Sequence, residues 1–246
     1  MFSFLQPAKV KPDLSFIGVD MHSHLLPGLD DGLKELEQTI AFVKELQELG
    51  YTKLICTPHI IADLYPNGPS TILPKLDLVR ETLLKENVAV QIEAGAEYMV
   101  DVEMEQYLQS GEPLLTFGKN FILIEMSYVA PSSNMERVIF QLRMKGLQPI
   151  IAHPERYSYL HNKFDTYQRY IDLGCILQVN LLSLLGYYGP NVKIIAEKLV
   201  TSNMITLAGT DMHHETHLQA LKDLAAKKSF YKLLEKAGIN NKELLD

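Results

Sequence analysis

His22 and His24 stand two residues apart in the segment Asp20-Met21-His22-Ser23-His24. On an extended strand, residues two apart point to the same side, so both imidazoles could reach one cation. Similar segments recur, each closing a short apolar run: Thr57-Pro58-His59, Gly95-Ala96-Glu97-Tyr98, Glu125-Met126-Ser127, His153-Pro154-Glu155-Arg156, Asn180, and Gly209-Thr210-Asp211-Met212-His213. Singly, each has an ordinary explanation as a core, capping or surface feature. Together they would set five of the eight histidines beside carboxylates from other strand ends. Converging unpaired carboxylates repel and shift one another's pKa values, and cations remove that conflict. Nine candidate ligands result: His22, His24, Asp31, His59, Glu97, Glu125, His153, Asp211 and His213. One ion needs three or four protein ligands, so nine point to two or three ions with shared carboxylates. Mixed imidazole and carboxylate donors suit Mn²⁺, Fe²⁺ or Zn²⁺, and the lack of thiolate argues against a structural zinc. Such a centre would hold a water between ions, lower its pKa to give hydroxide, and grip the non-bridging oxygens of a phosphate.

These residues need a scaffold that brings strand ends to one rim. Strand patterns fall at 17–20, 52–56, 88–94, 121–124, 148–152, 176–179 and 205–208. Helical patterns fall at 33–49, about 70–86, 134–145, 164–173, 190–201 and through 215–246. The first of these has apolar residues at 36, 40, 43, 46 and 49 and stops at Gly50, a good C-terminal cap. Strands alternating with helices imply parallel pairing and right-handed crossovers. Seven such units predict an α/β barrel, closed or nearly so. A doubly wound open sheet is the structural alternative, but no glycine-rich dinucleotide loop or Walker loop supports it. Barrel active sites assemble where the strands end, which is where the candidates lie.

The 246 residues suffice for one barrel domain with a full core. A 47% apolar and 22% charged composition is ordinary for a globular chain. The formal net charge of -7 lacks the basic footprint of a nucleic-acid binder. No apolar run approaches a membrane span or a signal-peptide core, so no membrane insertion is expected. Cys56 and Cys175 lie in apolar, strand-like runs and read as buried, reduced thiols of a cytoplasmic protein. Neither begins a Cys-x5-Arg loop, since Ala62 and Leu181 stand at the arginine positions, and a cysteine nucleophile is disfavoured. Residues 1–15 read as an N-terminal arm, with 16–246 as the single domain. Phe2, Phe4 and Leu5 could dock on the body or on another subunit of a homo-oligomer.

The segment Asp20-Met21-His22-Ser23-His24-Leu25-Leu26-Pro27-Gly28-Leu29-Asp30-Asp31-Gly32 resembles the opening motif of the polymerase-and-histidinol-phosphatase (PHP) superfamily. More narrowly it resembles the bacterial PHP-type protein-tyrosine phosphatases of capsule and exopolysaccharide loci. The likeness runs on through Thr57-Pro58-His59, Gly95-Ala96-Glu97-Tyr98, Glu125-Met126, His153-Pro154-Glu155-Arg156-Tyr157 and Asp211-Met212-His213, and covers the chain after the arm. It implies a distorted (β/α)7 barrel holding three divalent ions, with Mn²⁺ favoured. By motif, His22, His24, Glu97 and Asp211 would bind the first ion. Glu97 would bridge to a second held by Glu125 and His153. Asp31, His59 and His213 would hold the third. Arg156, Glu97 and Asp211 are the residues expected to act in catalysis. Arg156 is the one arginine of five within three residues of a proposed ligand, and a guanidinium fork matches phosphate oxygens.

The resemblance implies hydrolysis of phosphotyrosine on a protein, and as partner the tyrosine-rich tail of a cognate tyrosine kinase. Two alternatives stay open: a small phosphomonoester such as histidinol phosphate, or a regulatory module with a vestigial site. Asp31 weighs against the histidinol branch, where histidine often takes that position. Family members often carry a further arginine after Asp-x-His. Here His214-Glu215-Thr216-His217 follows, with no arginine through residue 246. His217 or Lys222 could substitute, but His214 and His217 read more simply as solvated residues at a helix start. The loop 60–70, with Tyr65, Pro66, Asn67 and Pro69, is expected at the substrate rim.

Overall fold

A computed structural model describes residues 11–245. In chain order its elements are β1 (Val19–Asp20), α1 (Leu36–Glu48), β2 (Lys53–Cys56), β3 (His59–Ile60), α2 (Pro69–Lys85), β4 (Gln91–Ala94), β5 (Glu97–Met99), α3 (Val102–Ser110), β6 (Phe121–Glu125), α4 (Met135–Met144), β7 (Gln148–Ala152), α5 (Phe164–Asp172), β8 (Ile176–Asn180), α6 (Leu181–Leu185), α7 (Pro190–Thr201), β9 (Leu207–Gly209), α8 (Glu215–Ala225), α9 (Lys228–Ala237) and α10 (Asn241–Leu245). All strand pairs are parallel, in the orders β1-β2-β4 and β3-β5-β6-β7-β8-β9. The two orders are one ring with two strands interrupted. Thr57-Pro58 separates β2 from β3, where proline cannot donate to a ladder. Gly95-Ala96 separates β4 from β5. Backbone bonds carry the pairing across these breaks, from Gly95 N–H to Cys56 O (2.9 Å) and Glu97 N–H to Pro58 O (3.1 Å). The ring closes beyond β9: Ser23 bridges Met212, and His24 N–H donates to Met212 O at 2.9 Å.

The expected barrel of parallel strands is therefore present, and its details differ from the sequence pattern in several places, among them the unexpected short helix α6 and the later starts of β4 at Gln91 and β9 at Leu207. The first strand starts at Val19, not Ile17, because Gly18 adopts a left-handed φ of 66° in the turn that follows Leu14. The segments after β2 and β4 rejoin the sheet as β3 and β5. The helix α3 was not expected; Asp101 caps it by accepting from Met104 N–H at 2.8 Å, and Gly111 ends it in the left-handed region. It buries only Met104 and Leu108, too narrow an apolar stripe to announce itself.

Two apolar layers position the site. Val19, Ile55, Phe121, Leu123, Ile150 and Leu207 fill the floor of the barrel, with Leu245 of α10 against them. The helices pack on the outer strand faces in a larger cluster, which includes Leu14 of the expected arm. Phe2, Phe4 and Leu5 lie outside the described residues. Among the described residues, no helix is long and apolar enough to cross a membrane.

Candidate metal centre and active site

The apolar floor and the polar rim come from the same strand faces. On β6, Leu123 and Glu125 are two apart, so the leucine packs below while the carboxylate reaches the rim. Glu97, at the start of β5, is fully buried and stands at the middle of the cluster. Its Oε2 lies 3.2 Å from His22 Nε2, 3.4 Å from His24 Nε2 and 3.2 Å from His59 Nδ1. Its Oε1 lies 3.0 Å from His153 Nε2. Asp211 Oδ1 lies 3.4 Å from each of His22 Nε2, His24 Nε2 and His213 Nδ1. Asp31 Oδ1 stands 3.6 Å from His59 Nε2 and 3.5 Å from His213 Nε2.

The structure thus brings all nine candidates together. Their donor atoms form four groups, each within 4.8 Å: His24, Asp31, His59 and His213; His22, His24 and Asp211; His22, Glu97 and His153; and His59, Glu97 and Glu125. Glu97 joins His153 on one side and Glu125 on the other, and the three do not gather as one set. His59 faces two groups, with Nδ1 toward Glu97 and Glu125 and Nε2 toward Asp31.

The donor set fits cations better than it satisfies itself. His59 Nδ1 and Glu125 Oε1 are 2.9 Å apart, yet both are buried without a hydrogen bond, as is Glu97 Oε1. These atoms lie within reach of one another without a well-directed hydrogen bond between them. Leaving such groups unpaired in a dry interior costs about 1–3 kcal/mol each, more when charged. His153 and Asp211 also hold left-handed backbone, with φ of 32° and 50°. Left-handed backbone at non-glycine residues stores strain and clusters at functional sites.

The charges are set by burial and by each other. Burial pulls His22 down, but the Glu97 and Asp211 carboxylates more than reverse it, to about 9. Burial, with the charge of Glu97, pushes Glu125 up to about 7. Both shifts favour the protonated forms, with which a cation would compete. Affinity for Mn²⁺ is therefore expected to rise with pH between about 7 and about 9, with protons released on binding. Calorimetry in buffers of different ionisation enthalpy counts those protons; a pH-independent affinity without release contradicts the expectation. The metal-free protein should show the opposite trend. A raised histidine pKa adds stability below the unfolded value near 6.5, and that stability is lost as pH rises through about 9.

Asp30 was not among the candidates, yet it holds two of them. Its Oδ2 accepts from His24 Nδ1 at 2.7 Å and from the His59 backbone N–H at 3.0 Å, and its Oδ1 accepts from Gly32 N–H at 2.9 Å. The first bond fixes the His24 tautomer with Nε2 toward the cluster. The turn depends on Gly32, where a Cβ would lie 2.2 Å from His24 O. The adjacent acids Asp30-Asp31 were the available signal, but spacing could not say which faces inward. Asp30→Ala is expected to weaken Mn²⁺ binding by about 10–100-fold, the usual loss for such a partner. Equilibrium dialysis against Mn²⁺ measures it, and an unchanged affinity would remove Asp30 from the centre.

Arg156 sits at the edge of the cluster. Its Nη1 donates to Asp211 Oδ2 at 2.8 Å, and its guanidinium lies 4.7 Å from the Tyr128 ring centroid and 4.1 Å from that of Tyr188. The adjacent Glu155 turns inward, accepting from Asn180 N–H at 2.9 Å and Ser183 Oγ at 2.6 Å. His214 is exposed as expected, but His217 is buried on the inner face of α8, with Nδ1 3.1 Å from Asp211 O. Its neighbours Leu218 and Leu221 draw that face into the core. Lys222 pairs with Glu45 on α1. In the 60–70 loop, the Tyr65 ring stacks on His59 with centroids 5.6 Å apart, and Asn67 Nδ2 donates to His59 O at 2.9 Å. A cavity of about 410 Å³ opens between this loop and α3, lined by Asn67, Tyr98, Asp101 and Tyr107 among others.

Comparison with known proteins agrees with this fold. Tyrosine-protein phosphatase YwqE of Bacillus subtilis (strain 168) is 29% identical over 196 residues, covering 80% of this chain and 77% of that protein. Tyrosine-protein phosphatase CpsB of Streptococcus pneumoniae is 25% identical over 232 residues, covering 91% and 96%. A crystal structure from work on YwqE of Bacillus subtilis and CpsB of Streptococcus pneumoniae, described as unique metal-dependent tyrosine phosphatases, superposes with a TM-score of 0.76 at 28% identity, over 92% of this chain and 94% of that one. The histidinol phosphate phosphatase of Lactococcus lactis subsp. lactis Il1403 shares the fold, with a TM-score of 0.52 at 13% identity over 90% and 93% of the chains. The family model for capsular polysaccharide synthesis, CpsB/CapC, matches residues 18–241. That span takes in every strand and all nine candidate ligands, and the chain belongs to the CpsB/CapC family.

Proposed function

We propose that this chain is a metal-dependent tyrosine-protein phosphatase of capsular polysaccharide synthesis, acting on a cognate bacterial tyrosine kinase. The observation that carries the proposal is the convergence of nine donor side chains, some buried and unpaired, beside Arg156. The names of the relatives supply the substrate class. Residues 16–246 would act as one domain, in the cytoplasm, in keeping with the free buried thiols of Cys56 and Cys175.

The residues divide the work by position. His22, His24, Glu97 and Asp211 would hold one divalent ion. As the resemblance implies, Glu97, Glu125 and His153 would hold a second, which requires Glu125 and His153 to draw together about Glu97 from the two groups they occupy here, and Asp31, His59 and His213 a third, with Mn²⁺ favoured. Bound cations supply a nucleophilic water at neutral pH and neutralise phosphoryl oxygens. Arg156 adds a planar fork of donors at the same edge, kept charged by its surroundings. Tyr65 and Tyr128 flank the cluster and offer aromatic surface to a phenyl ring. The leaving phenolate has a pKa of about 10 and needs little protonation help. Neither cysteine serves as nucleophile, since burial pushes each thiol up to about 12.

The test is turnover of a phosphotyrosine peptide beside histidinol phosphate, with Mn²⁺, with chelator, and after iodoacetamide. Mn²⁺-dependent hydrolysis that prefers the peptide, stops with chelator and survives iodoacetamide is the expected result. Faster turnover of histidinol phosphate would overturn the assignment of substrate. A chain that takes up no transition metal would overturn the assignment of chemistry.

A further inference from the structure

β8 carries none of the nine proposed ligands, yet Gln178 and Asn180 on its inner face are fully buried beside them. His22 Nδ1 lies 3.0 Å from Gln178 Oε1. Gln178 Nε2 donates to Asn180 Oδ1 at 2.9 Å, and Asn180 Nδ2 donates to Asp211 Oδ2 at 2.7 Å. That same carboxylate oxygen accepts from Arg156. The chain of bonds has one direction, set at both ends. At one end the His153 backbone N–H, which can only donate, reaches Gln178 Oε1 at 3.4 Å. The amide oxygen therefore faces His22, and His22 Nδ1 must carry the hydrogen. At the other end an ionised carboxylate can only accept, so Asn180 presents its NH₂ group. Gly209 leaves the room for this arrangement: a Cβ there would lie 2.6 Å from His22 Cβ and 2.9 Å from Gln178 Nε2.

We propose that Gln178 and Asn180 are positioning residues that form a directional amide relay across the floor of the metal centre. The relay holds His22 as the Nδ1–H tautomer, with Nε2 open toward Glu97 and Asp211. It also divides the two oxygens of Asp211. Oδ2 is taken by Asn180 and Arg156, which leaves Oδ1 for the imidazoles of His22, His24 and His213. Two neutral amides thus tie a histidine ligand just beyond the first strand to the phosphate-binding arginine without adding a charge to a crowded site. A carboxylate at either position would add to the repulsion already present. The proposal rests on the metal-centre reading above.

Residues in one hydrogen-bond network give non-additive losses, which is what a double-mutant cycle reads. Gln178→Ala and Asn180→Ala are each expected to weaken Mn²⁺ binding by about 10–100-fold. The double variant should be no more than about threefold weaker than the weaker single variant. Losses that multiply would overturn the relay and leave two independent contacts. A second measurement needs no variant: ¹⁵N imidazole shifts of the Zn²⁺-loaded wild-type protein. His22 protonated at Nδ1 is the expected result, and His22 protonated at Nε2 overturns the proposal even if the alanine variants fail to fold. Neither readout depends on phosphatase activity. A wild-type chain that takes up neither Mn²⁺ nor Zn²⁺ would remove the metal-centre reading as well, whereas normal uptake with multiplying losses removes the relay alone.

Discussion

Glu97→Gln is expected to lower turnover of a phosphotyrosine peptide by at least about 1,000-fold, or about 4 kcal/mol of barrier. Glutamine keeps the size and shape of the side chain, so the fold should survive. It removes the charge at the one residue whose two oxygens face His22, His24 and His59 on one side and His153 on the other. Its amide nitrogen would also point hydrogens at atoms that donate or bind cations. The cost should show first as metal loss, since Glu97 joins two of the four donor groups. Mass spectrometry of bound metal beside the peptide assay measures both. Wild-type metal content with wild-type turnover would exclude Glu97 from the centre. Loss of turnover with full metal content would instead confine its role to the reacting groups.

Arg156→Ala should behave differently. Removing one preorganised donor of transition-state charge typically costs about 100–1,000-fold in kcat, or about 2.7–4 kcal/mol. Metal content is expected to hold, because Asn180 still grips Asp211 Oδ2 at 2.7 Å. Arg156→Lys should recover only part of the loss, since a point charge cannot reproduce the fork or its stacking on Tyr128 and Tyr188. A kcat within about threefold of wild type for Arg156→Ala would move phosphate recognition elsewhere on the rim. The contrast between the two variants would separate the residues proposed to hold cations from the one proposed to face phosphate.

The location of the candidate centre is legible in the sequence alone. Parallel strands joined by right-handed crossovers all run the same way, so their C-terminal ends must share one rim. A histidine or acid that closes an apolar run therefore lands beside others that do the same. That is why His22, His24, His59, Glu125, His153 and Asp211 could be gathered from segments scattered along the chain. Arg156 followed from its place beside His153.

Other features depended on orientation, which local sequence does not encode. Asp30 and Asp31 are neighbours of one type, yet the first is buried under His24 and His59 while the side chain of the second is 55% exposed. Gln178 lies 156 residues from His22, and no spacing rule connects a strand-interior amide to a histidine that distant. The burial of His217 follows from how α8 rolls onto the core, not from its place at a helix start.

Periodicity and strand-end chemistry are written in nearest neighbours, so composition and order sufficed for the alternation of elements, the parallel barrel and the ligand types at its rim. The breaks at Thr57-Pro58 and Gly95-Ala96, the support that Asp30 gives His24 and His59, and the polarity of the amides beneath His22 had to wait for the folded chain. Each of those is fixed by contacts between segments far apart in sequence, where close packing at Gly32 and Gly209 leaves a single orientation open.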